Sequence, residues 1–244
     1  PTNAPFGSGF NFAQELWFAT YPDLNPTDLT NPTPTTAQVD QYNLATNWLY
    51  GNTPATVDEG ADYLQSAGGD DVLFGGGAND TLEGGDGVDS LIGGDGADTM
   101  TGDTVVGALV TDLYIQKSGC SPAATGFTDN TSSYSFTFGS GVDLITDFTG
   151  GNPAPVDKIA FEGWTGTLQK YTSSATGSWN TDDVVIFRGD LSSNVFTTST
   201  TGADALVFKA NGGSGDGITD SDLGTQAIVL LGSGAEPYSG SNFI

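Results

Sequence analysis

GGGANDTLE (75–83), GGDGVDSLI (84–92) and GGDGADTMT (93–101) are successive nine-residue units that follow two less regular ones, VDEGADYLQ (57–65) and SAGGDDVLF (66–74). Aspartate holds the sixth place of every unit, and a large apolar residue holds the eighth. Glycine fills most of the first four places. A fixed short period of this kind predicts a stacked repeat fold.

Each unit combines a turn of unusual backbone freedom with a carboxylate, and these are the parts of a calcium site. Glycine accepts positive φ at little steric cost, so a glycine-rich turn can aim several backbone carbonyls at one point. The sixth-place aspartate adds carboxylate oxygen. Because Ca²⁺ takes about six to eight oxygens at about 2.3–2.6 Å, one loop cannot easily supply them all. We therefore predict that each ion lies between stacked loops.

Two units make one coil of 18 residues, so alternate loops are predicted to lie on opposite edges. Loops 57–62, 75–80 and 93–98 share one edge, whereas loops 66–71 and 84–89 share the other with an imperfect loop that follows the fifth unit. The gaps between these loops predict about three or four bound ions. The eighth-place residues are predicted to point inward and to stack as a core: Leu64, Leu73, Leu82, Leu91 and Met100.

The candidate ligands are loop residues at the first, third and sixth places, together with one aspartate from a similar turn further along the chain. They are Glu59, Asp62, Gly68, Asp71, Gly75, Gly77, Asp80, Gly84, Asp86, Asp89, Gly93, Asp95, Asp98 and Asp143. Glycine turns and solvated aspartates could also punctuate a solenoid without binding metal, but five consecutive matches disfavour that alternative. A sixth unit begins at Gly102, and Asp112–Ile115 completes it after an insertion of about five residues.

Charge and composition exclude several classes of function. Thirty acidic residues face five basic ones, for a net charge of −25, so nucleic acid and anionic membrane surfaces are not expected partners. The sequence contains no histidine, which excludes histidine-based zinc sites, Ser-His-Asp triads and Cys-His dyads. Cys120 is the one cysteine and cannot form an internal disulfide. No transmembrane segment is predicted.

The rest of the chain predicts an all-β fold: a parallel β-roll with a C-terminal β-sandwich-like cap and a short N-terminal helical segment. The expected divisions are an N-terminal cap or assembly segment at 1–56, the roll at 57–115, and a β-rich capping and secretion-signal region at 116–244. Short apolar runs between Gly, Asn, Asp and Ser clusters predict the C-terminal strands. They are Tyr134–Phe138, Asp143–Phe148, Lys158–Phe161, Asp183–Phe187, Ala205–Lys209 and Ala227–Leu231.

The nonapeptide segment resembles the RTX (repeats-in-toxin) β-roll. The stretch Phe138–Phe148 resembles the C-terminal region of serralysin-type proteins, from which Ala160-Phe161 departs where that family has Asp-Leu. The tail Ala227–Ile244 is similar to those of proteins exported by type I secretion. The resemblance implies export of an unfolded chain by type I secretion machinery from a Gram-negative bacterium. It also implies an extracellular or cell-surface location.

Three functional hypotheses follow. The first is a non-catalytic structural protein of the cell surface or extracellular matrix, an S-layer or filament subunit that self-associates through calcium into a homopolymer or lattice. The second is the secretion and folding module of a larger type I secreted enzyme, such as a metalloprotease or lipase. The third is an enzyme with paired aspartates, or a carbohydrate binder that uses its tryptophans. The lack of histidine and of any catalytic constellation favours the first.

Overall fold

The structure is a computed structural model that describes residues 60–66, 68–103, 110–130, 132–151, 156–171, 179–212, 222–224 and 226–244. The short helical segment predicted within residues 1–56, and the candidate ligand Glu59, lie outside these residues. The described part is almost entirely β-strand, as the sequence predicts, with one short 3-10 helix at Gly240–Asn242. None of its helices is long and apolar enough to cross a membrane.

Within the described residues, one strand follows each of the six glycine-rich loops. These strands are β1 (Tyr63–Gln65), β2 (Val72–Gly77), β3 (Thr81–Gly85), β4 (Ser90–Asp95), β5 (Thr99–Asp103) and β6 (Leu113–Gln116). The later strands are β7 (Gly126–Asp129), β8 (Tyr134–Thr137), β9 (Asp143–Ile145), β10 (Lys158–Phe161), β11 (Leu168–Tyr171), β12 (Val184–Ser192), β13 (Val195–Thr198), β14 (Asp204–Lys209) and β15 (Ala227–Leu230).

Strands from alternate repeats pair in parallel, which forms the predicted roll. β1, β3 and β5 lie in one sheet, whereas β2, β4 and β6 lie in the other. Leu64 pairs with Leu82 and Leu82 with Met100, so each step is 18 residues, one coil. Ser90 pairs with Leu113, 23 residues on, so five extra residues are accommodated with no loss of register.

The eighth-place residues form the core of the roll. Leu82 and Leu91 are fully buried, Met100 and Leu73 nearly so, and Leu64 is partly buried against them. Successive side chains of a strand point to opposite faces, so the eighth-place residue can point into the roll while the residues before and after it point to the other face of the sheet. The predicted stack is confirmed, and its least buried member lies at the first strand of the roll.

Both sheets continue beyond the repeats. β9 pairs in parallel with β5, and β10 with β6. β15 pairs in parallel with β9, and β14, β12, β13, β8 and β7 then extend the same sheet with antiparallel pairing. All six strands predicted for this region are present, whereas β7, β11 and β13 are not among the predicted strands.

The central strands of the antiparallel part of the sheet, β12 and β14, have runs of residues that are buried on both faces. On β12, Val184 and Ile186 face the core that contains the stacked leucines. Val185 and Phe187 face a second core, in which Phe187 lies edge-on to Trp179. The C-terminal region therefore has a hydrophobic core of its own, yet shares its main sheet with the roll.

The C-terminal tail lies against the last strand of the smaller sheet. Ile244 donates its backbone N–H to Ile159 at 3.1 Å, and Asn242 Nδ2 donates to the carbonyl of Asp157 at 2.9 Å. Asn242 and Phe243 are buried. The end of the chain thus covers β10 next to the loop that carries Asp157.

Candidate metal site

The sixth-place aspartates form two ladders of hydrogen bonds, one on each edge of the roll. In each step, a carboxylate Oδ1 accepts the backbone N–H of the corresponding aspartate one coil earlier. The first ladder joins Asp62 to Asp80 at 2.7 Å, Asp80 to Asp98 at 2.8 Å, and Asp98 to Asp143 at 3.0 Å. The loops therefore stack as the repeat predicts, and the aspartate side chains connect each loop to the next.

The second ladder runs along the opposite edge and extends further beyond the repeats. It joins Asp71 to Asp89 at 2.8 Å, Asp89 to Asp112 at 2.8 Å, and Asp112 to Asp157 at 2.9 Å. Neither Asp112 nor Asp157 was among the candidate ligands. The sequence did contain a signal for them, because each stands immediately before an apolar strand, as Asp89 stands immediately before β4.

Three inner members of the ladders each carry a buried carboxylate oxygen that receives no hydrogen bond. Oδ2 of Asp89, Asp98 and Asp112 is buried without a hydrogen-bond partner, and each of these residues is fully buried. A buried carboxylate oxygen without compensation is strongly unfavourable, and buried charges in proteins are paired or coordinate metals. These oxygens therefore indicate a cation.

The first-place glycines leave room for those oxygens. A Cβ on Gly84 would overlap Asp89 Oδ2 and would lie 2.8 Å from the carbonyl oxygen of Gly102, one coil further on. A Cβ on Gly93 would likewise overlap Asp98 Oδ2. A carboxylate of one unit and a carbonyl of the next coil thus converge beside Gly84. This all-oxygen donor set fits Ca²⁺.

Backbone carbonyls must complete the coordination. Among the residues that the structure describes, no group of three or more His, Cys, Asp or Glu side chains is arranged to hold a metal alone. The loops supply carbonyls in register, since the predicted third-place ligands also stack: Gly68 bridges to Asp86, and Gly77 pairs with Asp95. The Asp86 and Asp95 side chains are exposed.

The second-place glycines, which were not among the candidate ligands, are needed for backbone conformation. Gly94 has φ of +110°, a region that other L-residues rarely adopt. A Cβ there would also overlap the carbonyl oxygen of Gly76 in the preceding coil. In the regular units, glycine therefore serves at the first place for space and, at Gly94, for both φ and space.

Burial raises the pKa of three carboxyl groups in the interior of the ladders. The pKa of Asp89 and that of Asp98 rise to about 7, and that of Asp112 rises to about 8. Neighbouring carboxylates add to the effect of burial: Asp80 acts on Asp98, and Asp157 acts on Asp112. A bound divalent cation would favour the ionised forms and reverse this direction.

Asp143 ends the first ladder in a different way from its inner members. Its Oδ1 accepts the N–H of Asp98, and its Oδ2 accepts the side-chain amide of Gln116. Ser121 Oγ accepts the N–H of Asp143 at 3.2 Å. Both carboxylate oxygens of Asp143 therefore have protein partners. Its contribution to an ion stays a prediction, as do those of the other candidate ligands.

Substitution of a first-place glycine is expected to damage the site selectively. In calcium, Gly93→Ala should lower the free energy of unfolding by about 1–3 kcal/mol, because the new Cβ overlaps the Asp98 carboxylate. Urea unfolding at several calcium concentrations measures this loss. Gly240→Ala is the matched control, since a Cβ there meets no heavy atom within 4 Å. Equal midpoints for the two variants would contradict the assigned role of Gly93.

The comparison with protein families agrees with this geometry. Residues 56–91 and 74–104 match the family of RTX calcium-binding nonapeptide repeats, described as four copies. No curated protein sequence matches the chain. Among solved structures, the chain is similar to the solution structure of the AlgE6R3 subunit from the Azotobacter vinelandii mannuronan C5-epimerase. That similarity has 20% identity and a TM-score of 0.38, and covers 78% of this chain and 81% of the other.

The repeat match covers the first five aspartates of the two ladders, from Asp62 to Asp98. It ends at residue 104, whereas the ladders continue to Asp143 and Asp157. Residues 56–104 therefore carry RTX calcium-binding nonapeptide repeats within an all-β chain that forms a β-roll, and Ca²⁺ is the cofactor of these repeats.

Proposed function

We propose that this protein is exported and folds when it meets extracellular calcium, and that it then acts as a non-catalytic structural protein. The two carboxylate ladders carry this proposal. Their inner oxygens are buried without hydrogen-bond partners at Asp89, Asp98 and Asp112, so the folded roll requires cations at neutral pH. A chain with a net charge of −25 repels itself when cations are absent and remains open.

This requirement suits a protein that crosses membranes before it folds. Extracellular calcium modules typically bind with dissociation constants of about 10⁻⁴–10⁻³ M, so such sites stay empty at low cytosolic calcium. Outside the cell, an ion that binds only the folded state stabilises that state by mass action. Binding and folding then become one event. This argument supports an extracellular or cell-surface location after export by type I secretion machinery.

The proposed structural role is that of an S-layer or filament subunit in which copies associate through calcium. Exposed carboxylates on the loops, such as Asp86 and Asp95, could share divalent cations with a neighbouring copy. Within the described residues, β1 is the outermost strand at one end of the large sheet. Tyr63 on that strand is 61% exposed. Outer strands offer unpaired backbone groups to another chain, which supports end-to-end association.

A second candidate is the folding and secretion module of a larger secreted enzyme. The observation that favours it is that the C-terminal tail packs against the end of the roll. Asn242 and Phe243 are buried against the loop and strand that follow the last ladder step, so the tail belongs to the same calcium-dependent fold. In this candidate, catalysis would belong to a separate domain.

Light scattering distinguishes the two candidates. The chain would be measured with about 5 mM Ca²⁺, above the usual range of such sites, and again with excess chelator. Large ordered assemblies that form only with calcium would support the structural subunit. A compact monomer with calcium would instead support the folding module. If calcium changes neither size nor circular dichroism, both candidates fail.

A further inference from the structure

The ninth place of the repeat alternates between polar and apolar residues along the chain. The five units end in Gln65, Phe74, Glu83, Ile92 and Thr101. Because consecutive units contribute strands to different sheets, this alternation sorts the residues by sheet. The polar ones belong to the large sheet, and the apolar ones belong to the small sheet of β2, β4, β6 and β10. The two outer surfaces of the roll therefore differ in polarity.

The apolar residues form a row across the outer surface of the small sheet. The residue before each of them points into the core of the roll, so each of them points to the opposite side. Phe74 pairs with Ile92, and Ile115 pairs with Ala160. Pairing of β4 with β6 joins these two couples. We call these four residues the outer apolar row: Phe74, Ile92, Ile115 and Ala160.

The outer apolar row is buried although it points away from the core. The exposed fraction is 3% for Phe74, 0% for Ile92 and 1% for Ile115. At the equivalent place on the large sheet, Gln65 and Thr146 are exposed. Neither of the two cores formed by the described residues contains Phe74, Ile92 or Ile115. These exposed fractions are those of one chain by itself, so the cover of this surface belongs to the same chain.

The N-terminal segment has the length and the composition to form this cover. Residues 1–59 precede the described part, whereas every internal stretch outside it is nine residues or shorter. Aromatic side chains contribute the largest apolar area to cores and interfaces. Residues 1–56 contain nine of them: Phe6, Phe10, Phe12, Trp17, Phe18, Tyr21, Tyr42, Trp48 and Tyr50.

The segment also joins the roll close to the outer apolar row. It ends where the first coil begins, and this coil contributes β1 and β2. Strand β2 carries Phe74, the first member of the row. Four strands spaced about 4.8 Å apart give a surface about 15 Å wide. About ten residues span that width even as a helix, so the segment is long enough to cross the whole row.

We propose that residues 1–56 bind the outer apolar row within the same chain. The aromatic side chains of the segment then remove Phe74, Ile92 and Ile115 from water, which is the driving force of such packing. The row exists only when β2, β4 and β6 are stacked, so the segment binds only after the roll has folded. The inference rests on the fold and not on the proposed structural role, and it assigns an intramolecular partner to one outer surface of the roll.

Methyl NMR spectroscopy of the wild-type chain in calcium tests the contact directly. Nuclear Overhauser effects are expected between the δ1 methyl groups of Ile92 and Ile115 and aromatic ring protons of residues 1–56. The apolar stretch 104–109 contains no aromatic residue, so it cannot produce these signals. A sample that mixes labelled with unlabelled chains separates contacts within a chain from contacts between copies. Contacts only between copies, or none with residues 1–56, would overturn the proposal.

Hydrogen exchange on full-length variants tests the same contact by its strength. The double variant Ile92→Thr/Ile115→Thr keeps β-branched side chains but places hydroxyl groups in the row. The slowest amides within residues 1–56 should then exchange about tenfold faster than in wild type, because buried hydroxyl groups without partners weaken the contact. Thr101→Ile is the matched control, since it changes the same place of the repeat on the large sheet and should leave this exchange unchanged.

All samples are kept in saturating calcium, and circular dichroism shows that each variant has folded. Equal exchange within residues 1–56 in the double variant and in wild type would refute the proposal. That result would leave calcium-dependent folding of the roll intact, so it differs from a failure of the proposed function.

Discussion

Chelation of calcium at neutral pH is expected to expand the whole chain. For 244 residues, the radius of gyration should rise from about 18 Å when folded toward about 54 Å when unfolded. The cause is the buried ladder carboxylates, which have no counter-charge once the ions leave, in a chain of net charge −25. Small-angle X-ray scattering with calcium and with chelator measures the change directly.

The expansion should be smaller at mildly acidic pH. The folded-state pKa of Asp89 and that of Asp98 are raised to about 7, and that of Asp112 to about 8, above the value of about 3.9 in an unfolded chain. The folded metal-free chain therefore binds more protons than the unfolded chain between about pH 4 and pH 8. Its stability then falls as pH rises through this window.

With calcium present, the pH dependence should be reversed, because protons compete with the ion for the same carboxylates. In chelator, the chain at pH 5.5 should consequently be more compact than at pH 8, whereas in calcium it should be less stable at pH 5.5. Scattering curves that are the same at both pH values in chelator would show that these carboxylates do not control folding.

Leu91→Ala should cost about 2–5 kcal/mol of unfolding free energy in saturating calcium. Leu91 is fully buried in the core of the roll and pairs with Leu73 on one side and Tyr114 on the other. Loss of its side chain leaves a cavity between stacked coils, which cannot close without moving both loop edges. Urea unfolding measures the loss, and the calcium concentration needed for folding should rise in the same variant, because folding and binding are coupled.

Leu64→Ala is the matched control for this substitution. It removes the same atoms at the same place of a repeat, but Leu64 is only partly buried at the first strand of the roll. Its cost should be clearly smaller than that of Leu91→Ala. If the two variants lose equal stability, the eighth-place residues do not form the graded stack described above.

The period of the repeat was enough to predict the roll. Nine residues with one inward-pointing apolar place predict two-strand coils, and the pairing of Leu64 with Leu82 and of Leu73 with Leu91 confirms the coil length. The insertion before Asp112 was also identified, because the strand that follows resumes the pattern. Local chemistry determines these features, so they can be read from the sequence.

The order of the C-terminal strands could not be predicted in the same way. β12 and β14 are buried on both faces, so Val184–Phe187 is a continuous apolar run without the alternation that would assign each side chain to a face. The pairing of β15 with β9 joins residues more than 80 positions apart, and no local pattern encodes it.

The details of the site were only partly accessible from sequence. The sixth-place aspartates were identified as ligands from their period, but the hydrogen bond from each N–H to the next carboxylate depends on how coils stack. Asp112 and Asp157 were missed as members of the site, because both lie beyond the last regular unit, after loops that do not keep the nine-residue spacing. The role of Gln116 at Asp143 likewise depends on tertiary packing.

The central claim is that calcium bound between the stacked loops folds this protein. A titration of the metal-free wild-type chain at pH 7.5, with bound calcium and far-ultraviolet circular dichroism measured on the same samples, tests it most directly. We expect about three or four ions to bind cooperatively, with the β-sheet signal rising in step with their binding. A full β-sheet signal in chelator, unchanged by calcium, would contradict the claim.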